Sequence, residues 1–225
     1  MVGIYAHRGA SIELPENTLS AFARAVELGA DGIELDVHLS ADGVPVVIHD
    51  DTLDRTTNGS GAVADHSVTE LQALDAGNSQ PIPTLKKVLD LVAGKLHVDI
   101  EIKAGEAGDA VLDLVTKYPD LAFAISSFNH DALRHVHRSS PDVELWPLTA
   151  AISDDVIRTA KELGSPQIAA YDRLLNAEII AEVERAGMRV WVWTVNDVDR
   201  ARELVSWGAV GICTDDPAAM IAGLR

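Results

Sequence analysis

Gly32-Ile33-Glu34-Leu35-Asp36 and Asp99-Ile100-Glu101-Ile102-Lys103 both alternate apolar residues with ionisable ones. A period of two marks a strand with one face against a hydrophobic layer. Ordinary half-exposed strands share that pattern. Here Ile33, Leu35, Ile100 and Ile102 read as buried, so acids on the other face of the same strands need a partner. A divalent metal supplies one.

The rest of the chain can be laid out from these two strands. After the first, Val37-His38-Leu39 meets Val44-Pro45-Val46-Val47-Ile48-His49 across Ser40-Ala41-Asp42-Gly43. A parallel crossover needs a dozen or more residues, so this connection is an antiparallel hairpin. Symmetric pairing about the turn puts position 47 opposite 36 and position 49 opposite 34, to within one residue. His49 is thereby returned to the neighbourhood of Glu34 and Asp36. Residues 50 to 83 read as loop-rich, with one short helix near Thr69 to Leu74. Upstream, Gly3 to Ala6 is a strand ending in His7-Arg8-Gly9. Asn17 reads as the N-cap of a helix from Thr18 to Leu28, with Leu19, Phe22 and Val26 on its buried face. Thr84 caps a helix to about Ala93.

Beyond Gly94 the pattern is regular. Strands centre on Glu101, Ile125, Leu145, Ala169, Trp191 and Ile212. Helices at about 106–117, 130–138, 154–163, 177–186 and 197–207 lie between them, with Ser153, Asn176 and Asn196 as N-caps. Asp216-Pro217 starts the last helix. With the strands at Ala6 and Glu34, the count is eight. Eight strands alternating with helices predict a (β/α)8 barrel, of the TIM type. An open doubly wound sheet would place a Gly-rich phosphate turn after the first strand, where this chain has His-Arg-Gly. The expectation is one domain over residues 1–225, with a hairpin and loop-rich insertion at about 38–83.

Composition narrows the partners. The chain carries 35 acids against 18 bases, a net charge of −17, which makes nucleic acid and anionic membranes poor partners. No apolar run is long enough to span a bilayer, and the start lacks the features of a signal peptide, so a cytoplasmic protein without stable membrane insertion is expected. The single cysteine, Cys213, excludes an internal disulfide and cysteine-rich metal sites. Nothing in the sequence sets the oligomeric state.

In a β/α barrel the site lies at the carboxyl ends of the strands. The residues there are His7, Arg8, Glu34, Asp36, Glu101, Lys103, Ser126, Trp193, Asn196, Thr214 and Asp215, with His49 and Asp50 from the hairpin. Three carboxylates at one mouth suit a hard cation, Mg²⁺ or Ca²⁺. Arg8 and Lys103 beside them suit a phosphate, and two histidines suit proton exchange with nucleophile and leaving group. The constellation reads as a metal-assisted phosphoryl-transfer site. His38 is expected to be a solvated hairpin residue, and Trp191 to fill the barrel.

His7-Arg8-Gly9, Pro15-Glu16-Asn17-Thr18, the run Gly29 to Val37, Val46 to Asp50, Asp54-Arg55-Thr56-Thr57, Pro83-Thr84-Leu85, Glu101-Ile102-Lys103, Ser126-Ser127-Phe128, Trp193 to Asn196 and Thr214 to Pro217 together resemble the glycerophosphodiester phosphodiesterase family. The match runs nearly end to end, in order. It implies a barrel that hydrolyses a small-molecule glycerophosphodiester to sn-glycerol 3-phosphate and an alcohol. It further implies Glu34, Asp36 and Glu101 as metal ligands, and His7 and His49 as the acid–base pair. Arg8 and Lys103 would hold the phosphate, and Trp193 would pack on the glycerol or alcohol portion. The chain departs from the family at Asp99, where a neutral residue is expected. Two rivals stand beside this reading: a related lysophospholipase D-like phosphodiesterase, and a barrel that binds glycerophosphodiesters without turnover.

Overall fold

The computed structural model describes residues 2–225. Its strands are β1 (Gly3–His7), β2 (Gly32–Leu39), β3 (Pro45–Val47), β4 (His97–Ile102), β5 (Phe123–Ser127), β6 (Leu145–Thr149), β7 (Gln167–Tyr171), β8 (Arg189–Trp193) and β9 (Gly211–Thr214). All except β3 pair in parallel with their neighbours, and β1 pairs with both β9 and β2. The sheet therefore closes into an eight-stranded barrel, with β3 hanging antiparallel from β2. The α-helices are α1 (Leu19–Leu28), α2 (Val68–Gln72), α3 (Leu85–Val92), α4 (Ala107–Val115), α5 (His130–Ser139), α6 (Asp154–Glu162), α7 (Ala177–Arg185), α8 (Val198–Ser206) and α9 (Pro217–Leu224), with short 3-10 turns at Val63–Asp65 and Asp172–Leu174. No helix among the described residues is long and apolar enough to cross a membrane.

Strand alternation sorts the side chains. Ile33, Leu35, Ile100 and Ile102 point outward and are buried against the helices, as the opening pattern requires. Their neighbours Glu34, Asp36, Asp99 and Glu101 point inward. Register brings the two sets together: Glu34 lies beside Asp99, and Asp36 beside Glu101.

The barrel is floored by aromatic rings rather than acids. Tyr5 meets Trp191 edge-on at 5.4 Å, and His97 stacks on Trp146 at 5.4 Å. Two glycines make room for this floor. A Cβ on Gly211 would lie 2.0 Å from the Trp191 ring, and one on Gly32 would lie 2.4 Å from the Tyr5 ring. Trp191 is thus barrel filling, as expected.

Two caps differ from the sequence reading. Thr18, not Asn17, caps α1, its hydroxyl accepting from the Ala21 amide; a cap of this kind contributes about 1 kcal/mol. Asp197, not Asn196, caps α8. In each case the neighbouring asparagine is left free for another use. Between β3 and α3 the chain wraps a small core of its own, built on Val46, Ile48, Leu53, Val63, Leu71 and Ile82. That core holds the loop above the barrel mouth.

Candidate active site

The mouth is built on strand ends. β2 supplies Glu34 and Asp36, and β4 supplies Glu101 and, just past its end, Lys103. All three acids are buried, Asp36 to 1% exposure. Each offers one oxygen, and the three oxygens lie within 4.8 Å of one another. Burial pushes the Glu34 carboxyl well above its ordinary range, and the charges of Asp36, Glu101 and Asp99 add to the rise. Glu101 is pushed up in the same way by burial and Asp36. For Asp36 burial acts upward too, but Lys103, Arg8 and His49 outweigh it and hold the carboxyl low.

The cations are folded into this cluster. Lys103 Nζ sits 2.7 Å from Glu101 Oε1 and 2.9 Å from Asp36 Oδ1. Although that close, Asp36 Oδ1 receives no well-aligned hydrogen bond. Arg8 adopts a left-handed backbone (φ 58°), donates its amide to Glu34 Oε2 at 3.1 Å, and brings Nε to 3.3 Å from Asp36 Oδ2. Three carboxylates thus face two cations. A hard divalent cation fits what remains: oxygen donors only, clustered, buried and short of positive charge.

Both histidines are held by carboxylates. His7 Nδ1 lies 2.7 Å from Asp215 Oδ1, and His49 Nδ1 lies 2.6 Å from Asp50 Oδ1. In each ring the other nitrogen is left for the site; His7 Nε2 is 3.9 Å from Glu34 Oε2. Asp215 also accepts from Ser11 and from Asn196. Burial is opposed there by the His7, Asn196 and Ser11 hydrogen bonds, and the carboxyl falls to about 2. The His49 imidazole is shifted down, chiefly by burial, with Lys103 and Arg8 acting the same way and Asp36 and Asp50 opposing.

A cavity of about 60 Å³ opens among these groups, with Phe128 and Trp193 on its apolar side. Trp193 packs at 5.4 Å against Phe128 and at 5.1 Å against Tyr171.

All eight residues singled out from sequence therefore meet at one mouth. His38 is half-buried, with Nε2 3.1 Å from the His49 carbonyl oxygen, where a solvated hairpin residue was expected. The hairpin register differs by one residue from symmetric pairing, since Val47 faces Val37, but this still delivers His49 to the strand that carries Glu34 and Asp36. Asn17 donates to Asp36 Oδ2 at 2.8 Å, a contact the cap reading missed. Its positive φ of 57°, which asparagine tolerates, turns the side chain inward. Asp99 is fully buried, and neither of its carboxylate oxygens has a hydrogen-bond partner. Burial, with Glu101 and Asp36 adding, drives its carboxyl up to about 8 beneath the cluster.

Residues 7–219 match the model of the glycerophosphoryl diester phosphodiesterase family. A glycerophosphodiester phosphodiesterase of Caldanaerobacter subterraneus is 37% identical over 236 residues, covering 99% of this chain and 97% of its own. Among solved structures, an Oleispira antarctica phosphodiesterase in complex with the product sn-glycerol-3-phosphate superposes with a TM-score of 0.95 at 28% identity, covering 99% of this chain and 96% of that one. A glycerophosphodiester phosphodiesterase of Agrobacterium tumefaciens gives 0.86 at 31% identity, covering 99% and 100%.

Proposed function

The chain belongs to the glycerophosphoryl diester phosphodiesterase family, and from that membership we propose that it hydrolyses glycerophosphodiesters to sn-glycerol 3-phosphate and an alcohol at the barrel mouth, as one catalytic domain. The observation that carries this reading is the convergence of two carboxylate-held histidines on one buried cluster of three acids and two cations.

Each residue has work consistent with its geometry. Arg8 engages Glu16 through Nη1 and leaves Nη2 without a hydrogen bond among the described residues, so its fork can take a phosphate oxygen. Lys103 Nζ stands 2.9 Å from Asp36 and 2.7 Å from Glu101 and gives Asp36 Oδ1 no well-aligned hydrogen bond, so a donor can turn to the same phosphate. Glu34, Asp36 and Glu101 would hold a divalent cation, Mg²⁺ or Ca²⁺, which draws charge from the phosphoryl oxygens when bound. With Nδ1 tied to Asp50 and its charged form disfavoured by burial, His49 is suited to accept the nucleophilic hydroxyl's proton at Nε2. As the new oxygen–phosphorus bond forms and the bond to the alcohol breaks, His7 Nε2 gives its proton to the departing alkoxide. Asp215 keeps the His7 ring oriented through that step. Trp193 and Phe128 offer an apolar wall to the glycerol or alcohol portion.

Phosphorus NMR on a panel of glycerophosphodiesters, with Mg²⁺ and with Ca²⁺, tests the assignment. The expected product is sn-glycerol 3-phosphate. No product with any diester and either ion would overturn it.

A further inference from the structure

The loop between β3 and α3 sends one side chain back to the site. Arg55, five residues beyond Asp50, lays its guanidinium between two carboxylates and bonds both of them twice. Nε and Nη2 donate to Asp50 Oδ2 and Oδ1 at 2.7 and 2.8 Å, and Nη1 and Nη2 donate to Glu16 Oε2 and Oε1 at 2.9 Å each. Neither carboxylate stops there. Asp50 Oδ1 is also the partner of His49 Nδ1, and Glu16 Oε1 also accepts from Arg8 Nη1 at 2.9 Å.

His49, Asp50, Arg55, Glu16 and Arg8 thus form an unbroken hydrogen-bonded chain. Asp50, Arg55, Glu16 and Arg8 alternate in charge along it. Its two ends are the imidazole read above as a proton carrier and the guanidinium read above as a phosphate ligand. We propose that Arg55 is a positioning residue for catalysis: by clamping Asp50 and Glu16 together it fixes the distance between His49 and Arg8 and keeps the His49 proton on Nδ1.

The physical case rests on geometry. A guanidinium has five donors in a planar fork, and this one uses three nitrogens to serve four acceptor atoms, a placement an ammonium cannot copy. Glu16 lies in the loop after β1 and Asp50 in the loop after β3, so no secondary structure joins them; Arg55 does. Doubly bonded to Arg55, Asp50 stays ionised, so the hydrogen bond to His49 Nδ1 needs the ring's proton on that nitrogen. The lone pair is then left at Nε2, facing the site. A wrong tautomer would leave the residue in place and take away its function.

The proposal rests on the roles assigned to His49 and Arg8, and the test separates the two. Arg55→Gln, Arg55→Lys and His49→Asn are compared with the parent on glycerophosphocholine with Mg²⁺, each with a melting curve and a pH–rate profile. Arg55→Gln is expected to lower kcat roughly 10–100-fold, the range for outer partners of site ligands. It should also raise KM, because Arg8 loses its brace. The limb of the profile that reports His49 should move to higher pH, since the Asp50 charge is no longer shared. The other charges facing His49 are Asp36 from β2, Lys103 beyond β4 and Arg8 beyond β1, and these are unchanged. Arg55→Lys should restore that limb and recover only part of kcat. A loss of melting temperature with the limb unmoved would make Arg55 merely structural and overturn the proposal. Full activity in His49→Asn would overturn the site reading instead; an inactive His49→Asn beside a fully active Arg55→Gln would overturn the clamp alone. If Arg55→Gln does not fold, nitrogen-15 NMR of the parent's His49 ring decides: an Nδ1–H tautomer supports the clamp and an Nε2–H tautomer refutes it.

Discussion

Adding a divalent cation should raise the melting temperature of this protein, and removing two carboxylates should abolish the rise. Glu34, Asp36 and Glu101 each place an oxygen within 4.8 Å of the other two. At an effective dielectric of about 20, two unit charges at that limit repel by about 3.5 kcal/mol, so three such pairs approach about 10 kcal/mol. Lys103 and Arg8 offset part of this from the same cavity, while burial first and the neighbouring carboxylates second hold the Glu34 and Glu101 carboxyls up. A cation that binds only the folded state at about a hundredfold over its Kd contributes about 2.7 kcal/mol. For a chain of this length each kcal/mol is about 2–4 °C, which gives a shift of about 5–11 °C. Thermal melts by calorimetry, in chelator and then in excess Mg²⁺ or Ca²⁺, measure it. The Glu34→Gln/Glu101→Gln variant relieves the repulsion, so its melt in chelator should be no lower than the parent's, and cation should leave it unmoved. A parent indifferent to both ions, or an equal shift in the variant, would refute the reasoning.

His7→Asn and His49→Asn should each cost about 10²–10⁴ in kcat on an alkyl diester. With a nitrophenolate leaving group, which needs no proton, His7→Asn should recover much of its rate and His49→Asn should not; equal behaviour of the two variants would sink their separate roles. Asp215, held at about 2 in the folded protein, contributes stability that is fully present above the ordinary carboxylate value of about 3.8 and is lost as pH falls through about 2. Asp215→Asn should flatten the acid side of a stability-against-pH curve across that window, and denaturant titrations that match the parent's there would contradict it. Gly211→Ala drives a methyl to 2.0 Å from the Trp191 ring and should cost about 1–3 kcal/mol or more, read as a lower melting temperature; an unchanged melt would mean the aromatic floor yields freely.

The fold was legible because its periods are local. Parity in Gly32 to Asp36 and Asp99 to Lys103 separates the isoleucines and leucine that face helices from the acids that face the axis, and the structure keeps that separation. Each predicted strand centre falls inside an observed strand. The errors lie where two neighbouring residues compete for one local task. Asn17 and Thr18 both suit an N-cap, as do Asn196 and Asp197, and propensity cannot rank them. The structure gives the cap to the second of each pair. Asn17 is then free to hold Asp36, and Asn196 to hold Asp215, so both misread caps are members of the site.

The same logic explains what was legible in the site and what was not. Residues that touch the cluster directly sit on strands whose spacing is regular, so their parity announces them. The groups that hold those residues come from loops, where no period exists. Asp50 follows His49 in sequence and is found with it. Glu16 and Arg55 meet across 39 positions, through a clamp with no local signature. Asp215 reaches His7 across 208 positions, from one end of the barrel sequence to the other. Barrel closure, β9 pairing with β1, is what makes that contact adjacent. The two histidines are therefore tied to the fold in two different ways. His7 depends on closure of the whole sheet, whereas His49 depends on one loop and its small apolar core. Loosening that core, by Leu53→Ala for example, should impair His49 chemistry while leaving the His7–Asp215 pair intact.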